Sequence, residues 1–504
     1  MLSNPAVILF TAAFAAALFG GKGSASGPFK FHADVGDVSI PGSFTRDPAS
    51  GAWRMTASGE NLWGEKDAFH FAWNRCSGDL LLECGLEWVG EGMNPHRKAG
   101  VMVRASLDPD AAYADAVVHG DGLVSLQFRR VKGGPTEEVR APLPGARRIR
   151  LERDGNVFSF SLDRDGSGIR PVAALSVRLP DTVLAGLFVC SHDNSVSETA
   201  LFRDVRFASS SPVQDDRRIV ESTLEILDLS TRERSIVLRE TRHFEAPNWS
   251  RDGKTLLFNS EGRIFHVPAS GGETRVLDTG DAARCNNDHG LSFDGQWLAI
   301  SHSPENQSLI YILPASGGVP RLVTQKGPSY WHGWSPDGNE LAYCAERNGA
   351  FDVYTIPVSG GEEKRLTDAP GLDDGPEYTP DGKWIYFNSV RTGLMKIWRM
   401  RPDGSEQQQM TFGDRHGDWF PHPSPDGKQI LFLSYDASVQ GHPANQDVCL
   451  RLMPAEGGEP ETVAVLFGGQ GTINVPSWSP DGTRAAFVSY RLVSRPAGEA
   501  LTRP

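Results

Sequence analysis

One repeated unit can be read in full in WHGWSPDGNELAYCAERNGAFDVYTIPVSGGEEKRLTD, which occupies residues 331–368. An aromatic residue precedes Ser-Pro-Asp-Gly, an apolar run follows, and a Gly-Gly turn leads to a last short run. Asp-Gly supplies the positive φ that a tight hairpin needs, and short apolar runs between such turns indicate β-strands. One unit of this size cannot bury its own apolar faces, so the sequence predicts that several copies stack around a shared core.

The same lead-in occurs six times in the C-terminal half of the chain. The copies are PNWSRDG (247–253), HGLSFDG (289–295), HGWSPDG (332–338), PEYTPDG (376–382), PHPSPDG (421–427) and PSWSPDG (476–482). Their aspartates lie 42, 43, 44, 45 and 55 residues apart, a period typical of a four-stranded propeller blade. We therefore expect a six-bladed β-propeller over residues 217–492. The segment LEILDLSTRERSIVL (224–238) should complete the last blade, so that the ring has no open edge strands.

The lead-in x-W-S-P-D-G-K-x-[IL]-x-[FY] and the Gly-Gly turn resemble the TolB-type propeller repeat. The resemblance covers the C-terminal half and implies a TolB-like fold there. It does not assign a role, because repeats of this type serve many functions. TolB carries an α/β domain ahead of its propeller, and this sequence shows no such domain, so the resemblance does not extend to a Tol–Pal role.

The N-terminal half has no such repeat. Runs such as DLLLECGLEWV, AGVMVRASL and FSFSLD alternate apolar and polar residues between turn signals, and no amphipathic helix pattern is present. We expect an antiparallel β-sandwich over residues 27–210, making the whole chain all-β, with the linker SSSPVQDDR (209–217). The order of its runs resembles the concanavalin A/laminin-G-like jelly rolls, which often accompany carbohydrate-active proteins.

Four tryptophans of this half have two interpretations. Trp53, Trp63, Trp73 and Trp88 either fill the core of the sandwich, where large aromatic residues usually lie, or present a plane on which a sugar ring stacks. Trp63 is the best candidate for an exposed ring, since Gly64 and a run of charged residues follow it.

The N-terminus and the charge indicate where the protein works. Ala6–Phe19 is an apolar run of signal-peptide length followed by small residues, so we expect a signal peptide over residues 1–26. An uncleaved membrane anchor is the alternative. No later segment is apolar enough to span a bilayer, and the net charge of −13 argues against nucleic acid as a partner. The expected location is periplasmic or secreted.

The residues just before each lead-in should converge on one mouth of the propeller channel, where they are candidates for binding. The predicted ligand-binding residues are Glu245, Asp288, Asp374, Asp418, Trp419, Asn445, Gln470 and Asn474, and the predicted metal ligands are His289, His332, His416 and His442. His289 and His332 occupy the position where the other four copies have proline.

Three functions compete for this mouth. Polar side chains and tryptophan suit recognition of a carbohydrate or other polar polymer. Imidazoles with carboxylates suit a divalent metal such as Mn, Zn or Fe, and a metal-dependent polysaccharide lyase would resemble the oligogalacturonate lyases. In the third interpretation the polar rim only solvates the channel, or it docks a protein of the cell envelope. No nucleophile elbow, P-loop or HExxH motif is present, so the sequence identifies no catalytic residue.

Overall fold

The computed structural model describes residues 28–210 and 218–494, and this part of the chain is almost entirely β-structure. It also contains a short 3-10 helix, Gln470–Thr472. No helix in the described ranges is long and apolar enough to cross a membrane. The predicted signal peptide and most of the predicted linker lie outside the described residues.

Sixteen strands form the described N-terminal part, residues 28–210. In chain order they are β1 (Phe31–Val35), β2 (Ser43–Arg46), β3 (Trp53–Ala57), β4 (Leu62–Trp63), β5 (Lys66–Asp67), β6 (Phe69–Ser77), β7 (Leu80–Trp88), β8 (Lys98–Arg104), β9 (Tyr113–His119), β10 (Val124–Arg129), β11 (Glu137–Arg140), β12 (Arg148–Asp154), β13 (Val157–Asp163), β14 (Arg170–Ser176), β15 (Thr182–Cys190) and β16 (Glu198–Ser209). Local chemistry explains the hairpins: β12 and β13, for example, are joined by Gly155 and Asn156, and Gly155 has a φ of 61°.

Fourteen of these strands form two antiparallel sheets around one core, and β4 and β5 form a separate hairpin. Sheet I has the order β1-β6-β15-β8-β9-β10-β11, and sheet II has the order β2-β3-β16-β7-β12-β13-β14. The core contains Val101 and Leu126 from sheet I and Leu82, Phe158 and Phe202 from sheet II, all of them buried. The jelly-roll connectivity and the concanavalin A/laminin-G-like resemblance remain predictions.

The propeller strands run from Arg218 to Ser494. They are β17 (Arg218–Asp228), β18 (Arg234–Glu240), β19 (Glu245–Trp249), β20 (Thr255–Ser260), β21 (Arg263–Pro268), β22 (Arg275–Val276), β23 (Cys285–Leu291), β24 (Trp297–His302), β25 (Leu309–Pro314), β26 (Arg321–Leu322), β27 (Ser329–Trp334), β28 (Glu340–Arg347), β29 (Ala350–Pro357), β30 (Lys364–Arg365), β31 (Asp373–Tyr378), β32 (Ile385–Ser389), β33 (Lys396–Met400), β34 (Gln408–Gln409), β35 (His416–Pro423), β36 (Gln429–Asp436), β37 (Gln446–Pro454), β38 (Glu461–Gly468) and β39 (Arg484–Ser494).

Five blades are consecutive four-stranded meanders, β19–β22 to β35–β38, which we number one to five. The sixth blade is built from both ends of the propeller: β17 pairs with β39 along its whole length and with β18 on its other side. The bridge between Trp478 and Ala485 supplies its innermost position. The predicted TolB-like propeller and its expected mode of closure are therefore present.

The Ser/Thr-x-Asp-Gly turns explain why the motif repeats. In all six copies the Ser or Thr hydroxyl donates a hydrogen bond to the Asp carboxylate, at 2.5–2.8 Å. The six following glycines have φ values between 68° and 72°, a region that glycine adopts without strain. Each turn therefore closes its hairpin with local bonds alone.

The two halves of the chain share one sheet. β14 of sheet II pairs in parallel with β38 of blade five, where Ala173 faces Val465, so sheet II continues into the blade. Ser176 donates through both its backbone N–H and its hydroxyl to Asp447, and the hydroxyl bond is 2.8 Å long. Arg491 of β39 binds Asp154 at 2.7 Å. The sandwich is thus held directly against one side of the propeller.

Candidate functional site

Each inner strand of blades one to five is interrupted by a bulge at the same place. The register shifts between Glu245 and Asn248, Cys285 and His289, Trp331 and Gly333, Asp374 and Glu377, and Trp419 and His422. Such an interruption kinks the strand and redirects its side chains. The bulges therefore divide the channel into an end formed by the entry segments, which we call the entry mouth, and an end near the Asp-Gly turns, which we call the turn mouth.

Side chains from five blades meet at the entry mouth. Asn287 Nδ2 of blade two lies 3.3 Å from Glu245 Oε2 of blade one. Asn474 Nδ2 of blade six donates to Asp288 Oδ1 of blade two at 3.0 Å. Blade one lies between blades two and six, so this second bond reaches past a neighbouring blade. The entry segments are thus joined by side chains and not only by backbone.

The remaining contact at this mouth is an ion pair between blades three and four. His332 Nε2 lies 3.1 Å from Asp374 Oδ1, and both side chains are buried. The Phe420 ring stacks beside His332 at a centroid distance of 6.1 Å. The structure therefore brings together five predicted site residues: Glu245, Asp288, His332, Asp374 and Asn474.

The carboxylates at the entry mouth are electrostatically different. Burial raises the pKa of Asp288 to about 6, an effect that His332 opposes and Asp374 reinforces. Burial also acts to raise the pKa of Asp374, but the His332 imidazole, its hydrogen bond and His442 outweigh burial and lower that pKa to about 2. Burial raises the pKa of Glu245 as well. One acid is therefore firmly ionised, while its neighbours hold their protons more tightly.

The two histidines in the proline position differ in the same way. The His289 side chain is fully buried, and its Nδ1 lies 3.2 Å from the Asn287 carbonyl oxygen. Its Nε2 has no hydrogen-bond partner. Burial lowers the pKa of this histidine to about 4. For His332, burial also acts to lower the pKa, but Asp374 and Asp288 outweigh it and raise the pKa above its ordinary value. His289 is therefore a neutral buried group, whereas the carboxylates around His332 favour its protonated form.

Asp418 is not part of the channel mouth. Ser434 donates to it at 2.7 Å, and Arg451 and Lys396 lie 3.3 and 3.6 Å away. These partners all belong to blades four and five, so Asp418 ties the two blades together. Asp418 lies in β35 just ahead of the bulge, and the sequence does not show the cations that surround it.

The other predicted residues lie around blade five and the last entry segment. Trp419 is buried and its ring contacts His442 at a centroid distance of 4.5 Å. Half-buried Asn445 has a positive φ of 60°. His416 is also half-buried, and its carbonyl accepts a bond from Lys396 at 2.7 Å. Gln470 begins the short 3-10 helix that precedes Asn474.

The predicted metal site does not fit the geometry. Within residues 28–210 and 218–494, no group of three or more His, Cys, Asp or Glu side chains is arranged to hold a metal ion. His289 is enclosed on its own, His332 is paired with Asp374, and His442 contacts aromatic rings. The expectation that these histidines and His416 share one ion therefore gains no support and stays a prediction, although His332 and His442 both lie near Asp374 and Phe420.

The sequence analysis did not identify the turn mouth as a site. A cavity of about 320 Å³ lies there, and it is lined chiefly by aromatic and proline side chains: Trp249, Phe293, Trp331, Trp334, Tyr378, Trp478, Pro380, Pro423, Pro425, Pro476 and Pro480. Its polar lining includes Asn248, Arg251 and Glu377, and His422 Nδ1 lies 2.6 Å from Glu377 Oε2. The available signal was the aromatic residue that precedes the turn in four of the six copies, at Trp249, Trp334, Tyr378 and Trp478.

Comparison with known proteins gives consistent matches to one kind of propeller. A family model described as the TolB beta propeller domain matches residues 332–453. The uncharacterized protein Atu1656 of Agrobacterium fabrum is 52% identical over 273 residues, which cover 54% of this chain and 93% of that protein. A solved structure described as putative TolB from Agrobacterium tumefaciens is 52% identical, with a TM-score of 0.53, and the match covers 54% of this chain and 99% of that one.

A more distant relative is longer than the matched region. The Tol-Pal system protein TolB of Francisella tularensis strain WY96-3418 is 27% identical over 268 residues. The match covers 51% of this chain and 59% of that protein. About two-fifths of that relative therefore has no counterpart in the match.

Proposed function

This chain belongs to the family of TolB-like β-propeller proteins represented by Atu1656, and we propose that it is an exported protein whose propeller binds a carbohydrate at the entry mouth. The observation that carries the proposal is the convergence of hydrogen-bonding side chains from five blades on one opening. Asn474 Oδ1 has no hydrogen-bond partner there. Hydroxyl groups can donate to carboxylates and amide oxygens and accept from amide N–H groups, so a saccharide suits this mixture.

Export is supported by the apolar segment Ala6–Phe19 and the small residues after it. We propose that residues 1–26 direct the chain to the periplasm or the medium. N-terminal sequencing of the protein recovered from cell fractions tests this point. Recovery of an intact N-terminus in the cytosolic fraction alone would contradict it.

Binding is tested with an oligosaccharide array probed with the mature chain, followed by calorimetry on the ligands that bind. His332→Gln and Asp374→Asn should each weaken binding about tenfold or more, because each removes a charge-assisted hydrogen bond. Glu377→Gln, at the turn mouth, is the matched control and should leave the affinity unchanged. Full affinity in both entry-mouth variants would place the ligand elsewhere and overturn the proposal.

A second candidate function is docking of a cell-envelope protein, and the turn-mouth cavity favours it. Aromatic and proline side chains line the cavity around half-buried Glu377, and apolar pockets of this kind receive the anchor side chains of a protein partner. Cross-linking from a photoreactive residue at Lys383, beside the turn-mouth wall, would capture such a partner. A partner that cross-links equally from Lys364, which is exposed on the outermost strand of blade three, would not be bound at this mouth.

The metal-dependent lyase receives no support from the geometry, because within the described residues no three of the predicted ligands are arranged to hold one ion. For the N-terminal part we retain the proposal of a concanavalin A/laminin-G-like jelly roll. The two antiparallel sheets around one core support it.

A further inference from the structure

The outer face of sheet I carries a group of buried polar side chains that the propeller channel does not use. We call it the sheet I cluster, and it consists of Asn61, Lys98, Asp115, His119, Gln127 and Glu138. The last five lie on four adjacent strands, β8 to β11, where Lys98 faces His119, and Gln127 faces both Asp115 and Glu138. Their chain neighbours, such as Ala116 and Leu126, point into the core of the domain, so the cluster lies on the opposite face of the sheet.

The β4–β5 hairpin crosses this face and is tied down at both ends. Lys98 Nζ donates to the Leu62 carbonyl at 2.9 Å and to Asn61 Oδ1 at 3.1 Å. At the other end, Arg129 binds both carboxylate oxygens of Asp67, at 2.7 and 2.8 Å. The hairpin therefore forms one wall of the space above the cluster.

Several polar atoms in this space have no partner, although their side chains are buried. They are both carboxylate oxygens of Asp115, Oε1 of Gln127 and Nδ1 of His119. Buried polar groups are nearly always satisfied, so four such atoms on two adjacent strands indicate a missing ligand or ordered water. Asp115 and Gln127 are both 0% exposed.

The hydrogen bonds already present show what the missing partner must supply. Gln127 Nε2 donates to Glu138 Oε1 at 2.9 Å and lies 3.3 Å from His119 Nε2. His119 Nε2 is therefore the acceptor, and in the neutral ring Nδ1 carries the proton. The cluster thus offers one unused donor, from His119, and three unused acceptors, from Asp115 and Gln127.

The charges argue for an uncharged ligand. Burial raises the pKa of Asp115 and lowers that of Lys98, so the pair is neutral overall whether or not the proton has moved between them. Burial and Lys98 lower the pKa of His119 to about 4, which leaves the ring neutral. Glu138 is already paired with Arg140 at 2.5 Å. Hydroxyl groups, which both donate and accept, match this set better than an anion or a metal ion.

An aromatic plane stands at the edge of the cluster. Trp63, at the tip of the hairpin, is 44% exposed, and Lys98 Nζ lies 5.4 Å from its ring centroid. On another side, His192 Nδ1 lies 3.1 Å from Asn61 Oδ1, and the His96 ring contacts the rings of His192 and His119. An exposed indole covers the apolar face of a sugar ring well.

We propose that the sheet I cluster and Trp63 form a second binding site, for one residue of a neutral saccharide. The ring stacks on Trp63 while its hydroxyls satisfy Asp115, Gln127 and His119. Since the buried atoms are enclosed, the hairpin must lift at its Trp63 tip for the ligand to enter. The site does not depend on the function of the propeller.

The test is an array of neutral oligosaccharides probed with the full mature chain, followed by calorimetry on the tightest binder. Trp63→Ala should raise the Kd about tenfold. Trp297→Ala is the matched control, because Trp297 is 43% exposed but lies in the propeller, and it should leave the Kd within about twofold. Asp115→Asn, which keeps the side-chain shape, provides a second variant inside the cluster and should also weaken binding.

Three results would overturn the proposal. They are an array without a binder, an unchanged Kd in both Trp63→Ala and Asp115→Asn, and loss of the same binding in the propeller variant His332→Gln. A crystal soaked with the binder completes the test: saccharide density on Trp63 supports the site, and ordered water alone around Asp115 contradicts it.

Discussion

His289 and His332 occupy one repeat position in neighbouring blades, yet the two rings have opposite electrostatic character. No carboxylate is paired with His289, so burial lowers its pKa to about 4. His332 lies between Asp374 and Asp288, and their charges raise its pKa despite burial. Neighbouring side chains, rather than the repeat position, therefore decide whether the imidazole is charged.

The pair of His332 and Asp374 should make stability depend on pH. Because the folded-state pKa of His332 is raised above 6.5, its stabilising effect is complete below pH 6.5 and is lost as the pH rises through the folded-state value. We expect His332→Gln to lower the free energy of unfolding by about 1.5–3 kcal/mol at pH 6 and by less at pH 9.

Urea titrations of both proteins across this pH range provide the measurement, with His289→Gln as the control. The pKa of His289 is lowered to about 4, so the loss of stability in its variant should grow from pH 6 to about pH 7.5, the opposite trend, and stay constant above that. A difference between wild type and His332→Gln that stays constant from pH 6 to pH 9 would contradict the assignment of the cation to His332.

Asp288 should also make stability fall with rising pH, but in a lower pH window. Its pKa is raised to about 6, so the folded carboxyl keeps its proton between about pH 4 and 6 while the unfolded one loses it, and stability falls as the pH rises through this window. Asp288→Asn removes the cost of the buried charge. Asn474 can turn its unpartnered Oδ1 toward the new amide.

The effect of Asp288→Asn on the free energy of unfolding should therefore be more favourable at pH 7.5 than at pH 3.5, by up to about 3 kcal/mol. Thermal unfolding followed by circular dichroism at both pH values checks this expectation. Equal effects at the two values would mean that Asp288 titrates normally in the folded protein.

The bulges of the inner strands are the elements that shape the entry mouth. In blade four, Gly375 has a φ of 62°, and a Cβ added there would lie 2.6 Å from Asn388 Oδ1. That oxygen accepts the Phe420 N–H of blade five at 3.0 Å. A glycine at this bulge therefore leaves room for a bond between two blades.

Gly375→Ala should lower the free energy of unfolding by about 2–3 kcal/mol. Alanine is strained in the left-handed backbone conformation, and the hydrogen bond between Asn388 and the Phe420 N–H is broken. Gly349→Ala isolates the strain, since Gly349 has a φ of 79° and nothing lies within 4 Å of an added Cβ, and it should cost about 1 kcal/mol. Denaturant unfolding of the two variants is the measurement. Equal costs would show that the space beside Asn388 is not needed.

At the level of the whole molecule, the continuous sheet joins the two halves of the chain. Arg491 of the last propeller strand lies among Glu152 and Asp154 of sheet II and Glu221 of β17, at 2.7–3.7 Å. Burial raises the pKa of Asp154 to about 6 even beside this cation. Removing the arginine would leave three clustered acids without their shared counter-ion.

We expect the wild-type protein to unfold in one calorimetric transition that includes both halves. Arg491→Met should destabilise the junction by about 3–5 kcal/mol, because it leaves buried carboxylates unpaired, and should separate the transition into two. Arg401→Met is the control, since Arg401 pairs with Glu406 near the propeller surface. A single unshifted transition in Arg491→Met would show that the junction does not couple the halves.

Much of the architecture could be predicted from local chemistry. The aspartate spacing, the Asp-Gly turns and the incomplete last blade each depend on residues close in sequence, and the last strand left only one arrangement without open edges. The five entry-mouth residues could also be nominated, because every inner strand begins at the same height in the ring. Trp63 was correctly identified as the exposed tryptophan of its group.

Partners distant in the chain could not be predicted in this way. The ion pairs of Asp418 are an example, because Lys396 and Arg451 come from other strands. Three other features likewise depend on which surfaces meet after folding. They are the individual surroundings of the four histidines, the turn-mouth cavity and the parallel pairing of β14 with β38. The repeat thus specified backbone conformation through short-range bonds, whereas charge pairing and burial at the sites followed from packing between blades and between the two halves.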